Sequence, residues 1–138
     1  MEREQIRDLM LYHLRNSFSL FDKSHRVNVP KVDEGNVCVN YRTTVQSLGK
    51  LMGTTHFDIQ AMDGTCYLLW IELELEKRGK GFGWQLYETV HNFARDFGCK
   101  RVRTTPSGWA FGKETRREYL LKRGYAPCGE REVEFILV

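Results

Sequence analysis

The sequence predicts an α/β sandwich built on a mixed sheet. Three observations predict it. An apolar stretch at residues 65–75 runs into a turn with glycine at positions 79, 81 and 83, and a helical apolar period follows at once. Before it, two stretches alternate apolar and polar residues in the manner of strands joined as hairpins. After it, short strand-like segments alternate with a charged helical one, an order that brings helices against a sheet. With 138 residues and 41% hydrophobic content, the chain is long enough for one proper core, and a single domain over residues 1–138 is expected.

Taken in order, residues 1–21 place Ile6, Leu9, Met10, Leu14, Phe18 and Phe21 at helical spacing, which gives a first helix with one buried face. Residues 19–35 lose that period and carry Pro30 and several charges, so they read as a long loop holding at most a short second helix. Residues 36–45 alternate Val37, Val39, Tyr41, Thr43 and Val45, and residues 54–62 alternate Phe57, Ile59 and Ala61. Both are strands, separated by a glycine-containing turn at 48–53. Asp63-Gly64 is a hairpin signal, because a two-residue turn needs positive φ.

The next strand, 65–75, is apolar on both sides for most of its length, as a central strand should be. Strict alternation places Tyr67, Leu69, Ile71, Leu73 and Leu75 on one side. Cys66, Leu68, Trp70, Glu72 and Glu74 then share the other, so two carboxylates end a face that begins with Leu68 and Trp70. Phe82, Leu86, Val90, Phe93 and Phe97 follow a helical period closed by Gly98. A short strand at 100–104, a loop from Pro106 to Gly112 with Trp109 in it, a charged helix over 113–123 closed by Gly124, and a final strand at 132–138 complete the chain.

Composition narrows the function classes. A net charge of +3 permits a nucleic-acid partner without demanding one, and no dedicated motif for it is present. The four cysteines are scattered with no Cys-x-x-Cys pair, which argues against a zinc site or a secreted disulfide framework. Met1 opens into charged residues and no apolar run has the length of a membrane span, so the expected location is cytoplasmic, with no membrane partner.

Arg78-Gly79-Lys80-Gly81-Phe82-Gly83-Trp84 is where the chemistry concentrates. Backbone N–H groups in such a turn converge on an anion, and the helix that follows adds the positive end of its dipole. The alternative is a tight turn and nothing more. A Walker loop would need Ser or Thr after a Gly-Lys pair, and a Rossmann fingerprint would need Gly or Ala at position 84; neither is present.

Residues 78–83 resemble the acyl-CoA pyrophosphate loop, Arg/Gln-x-x-Gly-x-Gly/Ala, of the GNAT superfamily of N-acetyltransferases. Tyr119-Leu120-Leu121-Lys122-Arg123-Gly124-Tyr125 is similar to the segment that ends that family's last helix. The resemblance extends over residues 66–125 and is weak before them. It implies a three-layer α/β sandwich whose central mixed, mostly antiparallel sheet is splayed at the acyl-CoA site. It also implies acetyl-CoA as co-substrate, no metal, and transfer to a primary amine of a small molecule or peptide by direct attack in a ternary complex.

By the same resemblance, Arg78, Gly79, Lys80, Gly81, Phe82, Gly83 and Trp84 hold the pyrophosphate. The backbone of Leu73, Glu74 and Leu75 pairs with the pantetheine arm and points an N–H at the thioester oxygen. Glu72 is the candidate general base, raised in pKa by apolar neighbours; the alternative is a structural ion pair with a nearby cation. Relatives often place a tyrosine proton donor five residues before the final aromatic. That position here is Leu120, and its neighbour Tyr119, about 100° around a helix, is the candidate acid, with packing as the alternative role.

Other residues remain open. No asparagine begins the last helix, where relatives often contact the donor, and the family's first strand is missing unless residues 26–32 replace it. An edge left for a partner chain would make a homodimer. His13, His25, His56 and His91 have no motif company; His56 falls on a strand beside the acceptor groove, and His91 is expected on the solvated side of its helix. Trp109 lines the acceptor site or plugs the core, and Tyr125 is core. Lys113, Arg116, Arg117, Lys122 and Arg123 form either a solvated helix face or a contact for the adenosine 3′-phosphate or an anionic partner. The rival function is a non-catalytic CoA-binding or regulatory module with the same fold.

Overall fold

The computed structural model describes residues 2–22, 25–29, 32–33, 38–45, 56–62, 64–73 and 78–138. In chain order the elements are α1 (Arg3–Ser17), β1 (His25–Asn28), β2 (Val32–Asp33), β3 (Cys38–Val45), β4 (His56–Met62), β5 (Thr65–Glu72), α2 (Phe82–Phe97), β6 (Arg101–Thr104), β7 (Trp109–Phe111), β8 (Glu114–Thr115), α3 (Arg116–Leu121), β9 (Ala126–Pro127) and β10 (Val133–Ile136). The main sheet runs β1-β3-β4-β5-β6-β10-β9, with β2 on β3, while β7 and β8 form a separate hairpin. Among the described residues every pairing is antiparallel except β5 with β6, the pair joined by the crossover through α2. This is the mixed, mostly antiparallel sheet expected.

The three described helices share one core with one face of the sheet. Ile6, Met10, Leu14 and Phe18 bring α1 onto α2, whose Leu86, Val90, Phe93 and Ala94 are fully buried. The tail of α3 is drawn in by Leu120 and Tyr125. The opposite face of β5, β6 and β10 carries the ion pair of Arg103 with Glu134 (2.9 Å) and the exposed Leu69 and Ile136.

Residues 19–35 differ from expectation. Their described part contains no helix; instead β1 pairs with β3, Val27 opposite Thr43. Val27 and Val29 are buried while Arg26 is exposed, an alternation too short to stand out in the sequence. Residues 26–28 thus supply the strand that the resemblance left missing. Two further pieces went unforeseen: β9, two residues on the edge of β10, and the β7–β8 hairpin, which takes up part of the 106–112 loop. The expected turn at 48–53 lies outside the described residues. Met62 stands opposite Thr65 and Gly64 has φ +72°, as the hairpin signal required, though Asp63 lies outside the described residues.

The largest correction concerns β5. Its register on β4 pairs Trp70 with Asp58 but Leu68 with Ile59, leaving Leu69 as an extra residue. Such a bulge advances the side-chain alternation by one. Cys66 and Leu68 therefore share the buried side with Ile71 and Leu73, while Trp70 and Glu72 lie on the other. The face expected to run from Leu68 to Glu72 is broken at Leu69. No described helix is long and apolar enough to cross a membrane.

Candidate functional site

The parallel pairing of β5 and β6 runs from Thr65 opposite Arg101 to Leu68 opposite Thr104 and stops there, while β5 continues to Glu72. Beyond Leu68 the strand has an open edge. Side chains cap its carbonyls: the Thr104 hydroxyl donates to Leu68 O (2.9 Å), Arg116 Nη1 to Ile71 O (2.7 Å) and Arg78 Nε to Leu73 O (2.9 Å). In an extended strand the N–H and C=O of one residue point the same way, so the N–H groups of Ile71 and Leu73 face the same opening.

A cavity of about 490 Å³ occupies this opening. Ile71 and Leu73 form its wall from β5, and Arg78, Gly79, Gly81, Gly83 and Trp84 close one end. Tyr87 of α2, Phe111 of β7, and Arg116, Tyr119 and Arg123 from α3 and its end line the rest. The glycine turn works as its sequence demands. Gly79 and Gly81 have φ of +77° and +87°, and Gly81 is the N-cap of α2 with no side chain satisfying the first N–H groups and no acidic residue in the first turn. Those N–H groups and the helix dipole meet an anion without competition.

Among the described residues, three arginines line the cavity against one carboxylate, Glu114, whose Oε2 is held by Lys122 Nζ at 2.6 Å. Arg123 stacks over the Tyr119 ring at 3.7 Å. Burial pushes the Tyr119 phenol up, opposed by Arg123, and pushes Tyr87 up further. The cavity is thus cationic, apolar-walled and open at one edge of a strand, a shape for a long polyanion with an uncharged arm.

The GNAT acetyltransferase family model matches residues 9–110, more than half of the chain. The chain belongs to that family. As a GNAT protein it is an acyltransferase of the acyl-CoA-dependent class. Solved structures share its fold: an acetyltransferase from Bacillus cereus (16% identity, TM-score 0.52, covering 96% of this chain and 89% of that one) and a Klebsiella pneumoniae protein described as an acyl-CoA N-acyltransferase (16%, 0.56, 95% and 88%). A third is the PaiA N-acetyltransferase of Thermoplasma acidophilum, solved with coenzyme A (14%, 0.50, 69% and 59%). Among curated proteins none matches.

The residues singled out in the sequence fall into three groups in this GNAT fold. Leu73, Arg78, Gly79, Gly81, Gly83, Trp84 and Tyr119 come together on the cavity; Lys80 and Phe82 belong to the same turn and helix start but are not on its wall. Glu72 stands on the other face of β5, where its Oε2 accepts from the Trp70 indole N–H at 3.3 Å. Glu74 and Leu75 lie outside the described residues. Among the described residues no group of three His, Cys, Asp or Glu could hold a metal.

Two expectations are corrected. His91 is not solvated but buried beside Tyr125, because the 3.6-residue period brings it onto the same side of α2 as Tyr87 and Ala94. Trp109 does not plug the core; it is exposed on β7. Reasoning from the sequence also passed over Tyr87 and Phe111. Phe111 lies so close over the turn that a Cβ on Gly79 would stand 2.8 Å from its ring. Its only signal was an aromatic in a loop of unknown course.

Proposed function

We propose that this GNAT chain transfers an acetyl group from acetyl-CoA to a primary amine of a small molecule or peptide, by direct attack in a ternary complex. The observation that carries the reading is one cavity lined both by the open edge of β5 beyond Leu68 and by the glycine turn at the start of α2. A pyrophosphate suits the N–H groups around Gly79, Lys80, Gly81, Phe82, Gly83 and Trp84, with Arg78 and Lys80 adding charge. The pantetheine arm suits the edge of β5 as far as Leu73, and Glu74 and Leu75 are assigned to the same binding role by the family resemblance.

In this reading the amine approaches from the Trp70–Glu72 side, Glu72 takes its proton, and an N–H of the β5 edge holds the thioester oxygen as it becomes an oxyanion. Tyr119, on the cavity wall, is the proposed donor to the departing sulfur. Calorimetry with acetyl-CoA tests the reading. Binding in the micromolar range is expected, and Gly81→Glu, which puts a side chain and a negative charge at φ +87°, is expected to abolish it. No binding to the unaltered chain would reject the donor site. Thiol release against a panel of amines then separates an enzyme from a binding module.

A further inference from the structure

We propose that the guanidinium of Arg116 is a catalytic group in this chain, holding the negative charge on the coenzyme sulfur while the carbon–sulfur bond breaks. The inference rests on the acyl-CoA reading above and adds a residue to it. Arg116 is the first residue of α3, and its backbone N–H is fixed on Gly108 O at 3.1 Å. Its side chain crosses the cavity to β5, where Nη1 donates to Ile71 O at 2.7 Å and the guanidinium carbon lies 5.7 Å from the centre of the Trp70 ring. Ile71 lies between the glycine turn and Leu68, where Thr104 closes the opening. An arm entering from the turn along this edge ends between them, so its terminal sulfur meets Arg116.

The chemistry calls for such a group. The amine nitrogen attacks the thioester carbon, the nitrogen–carbon bond forms, the carbon–sulfur bond breaks, and the electron pair leaves on sulfur. The proton lost by the amine goes to Glu72. A coenzyme thiol, an ordinary alkanethiol, is a stronger acid than the Tyr119 phenol, which burial pushes above its usual value of about 10. Proton transfer from that phenol to the thiolate is uphill, so the thiolate persists until the proton arrives and needs a fixed positive charge beside it. A guanidinium stays charged at every working pH and spends only one of its five N–H donors on Ile71 in this arrangement.

Among the described residues, the other charged and titratable groups facing the cavity are placed differently. Arg78 is tied to Leu73 O at the phosphate end. Arg123 is stacked on the Tyr119 ring, and Glu114 is paired with Lys122. Tyr87, facing from α2, is buried, and the charge of Arg116 reaches its phenol. Of these cations, Arg116 is the one set on the middle of the open edge.

The test needs no acceptor. Coenzyme A, whose thiol ionises, and S-methyl-coenzyme A, whose sulfur cannot, are titrated into the full chain by calorimetry between pH 6.5 and 9. Their affinity ratio cancels the titration of the phosphates they share. A bound thiol that ionises more readily than the free one makes coenzyme A bind tighter as pH rises through the bound thiol's pKa, up to tenfold for each unit of lowering.

For the unaltered chain the ratio is expected to rise at least tenfold. It should stay flat in Arg116→Gln and Arg116→Met and rise partly in Arg116→Lys. Using three substitutions keeps the test standing if one fails to fold. A full rise in Arg116→Gln or Arg116→Met overturns the proposal, as does equal weakening of both ligands at every pH, the mark of a phosphate contact. Binding of both ligands to the unaltered chain without a rise overturns the role of Arg116 alone. Failure of both to bind overturns the donor site and this role together.

Discussion

His91 Nε2 and the Tyr125 hydroxyl lie 2.6 Å apart inside the core, and the imidazole stacks on the Phe135 ring at 4.2 Å with an interplanar angle of 13°. This contact ties α2 to the segment after α3 and to β10. Burial lowers the His91 pKa to about 3, with the nearby Arg95 adding to the effect, so the ring is neutral in the folded chain.

The sign of the pH dependence follows. An unfolded histidine takes a proton near 6.5, and the folded one does so only near 3. Stability from this group is complete above about pH 6.5 and is lost as pH falls toward 3, by about 2 kcal/mol at pH 5. Buried His25, whose pKa is also lowered by desolvation, acts in the same direction. Urea unfolding at pH 7 and pH 5 should show this loss, and in His91→Gln, which keeps a partner for Tyr125 but cannot titrate, the loss should shrink by about that amount.

Leu120 and Tyr119 should separate stability from chemistry. Leu120 is fully buried and Tyr119 lines the cavity. Leu120→Ala is expected to lower the unfolding free energy by about 2–5 kcal/mol, read from the urea midpoint. Tyr119→Phe should leave the midpoint nearly unchanged while slowing thiol release from acetyl-CoA about 100-fold, the low end of general-acid effects. Equal rates in the Phe variant would remove Tyr119 from the mechanism.

Gly79→Ala meets two obstacles at once. The new methyl would lie 2.8 Å from the Phe111 ring, and φ +77° strains any L residue by about 1–3 kcal/mol. Acetyl-CoA affinity should fall at least tenfold by calorimetry. In the double variant with Phe111→Ala the clash is gone and the strain remains, so only part of the affinity should return.

Thr115 caps α3: its Oγ1 accepts from the Glu118 N–H at 3.1 Å, and the Glu118 carboxylate accepts from the Thr115 N–H at 3.2 Å. Thr115→Ala should cost about 1 kcal/mol of stability. Because α3 carries Arg116 and Tyr119, weaker coenzyme A binding should accompany the lower urea midpoint.

The sequence by itself determined the central unit. The apolar strand, the glycine turn and the helix from Phe82 to Phe97 with its closing Gly98 could be read directly, because glycine requirements and helical periods are local and strong. The order of the elements followed for the same reason, and so did the glycine-turn end of the candidate site. Short strands were less legible, since β1 and β9 have too few residues to establish a period.

Only the tertiary structure decided which faces those elements present. The bulge at Leu69 is set by pairing with β4, and it moves Glu72 to the side of β5 away from the cavity; no pattern within β5 announces it. His91 looked polar and is buried because Tyr125 and Phe135, far along the chain, meet it in the core. Arg116 was one cation in a charged run until the fold set its guanidinium on Ile71 O, 45 residues away in sequence. Spacing along a chain fixes what a residue's neighbours are within an element, while the contacts that give a side chain its chemistry come from elements brought together only by folding.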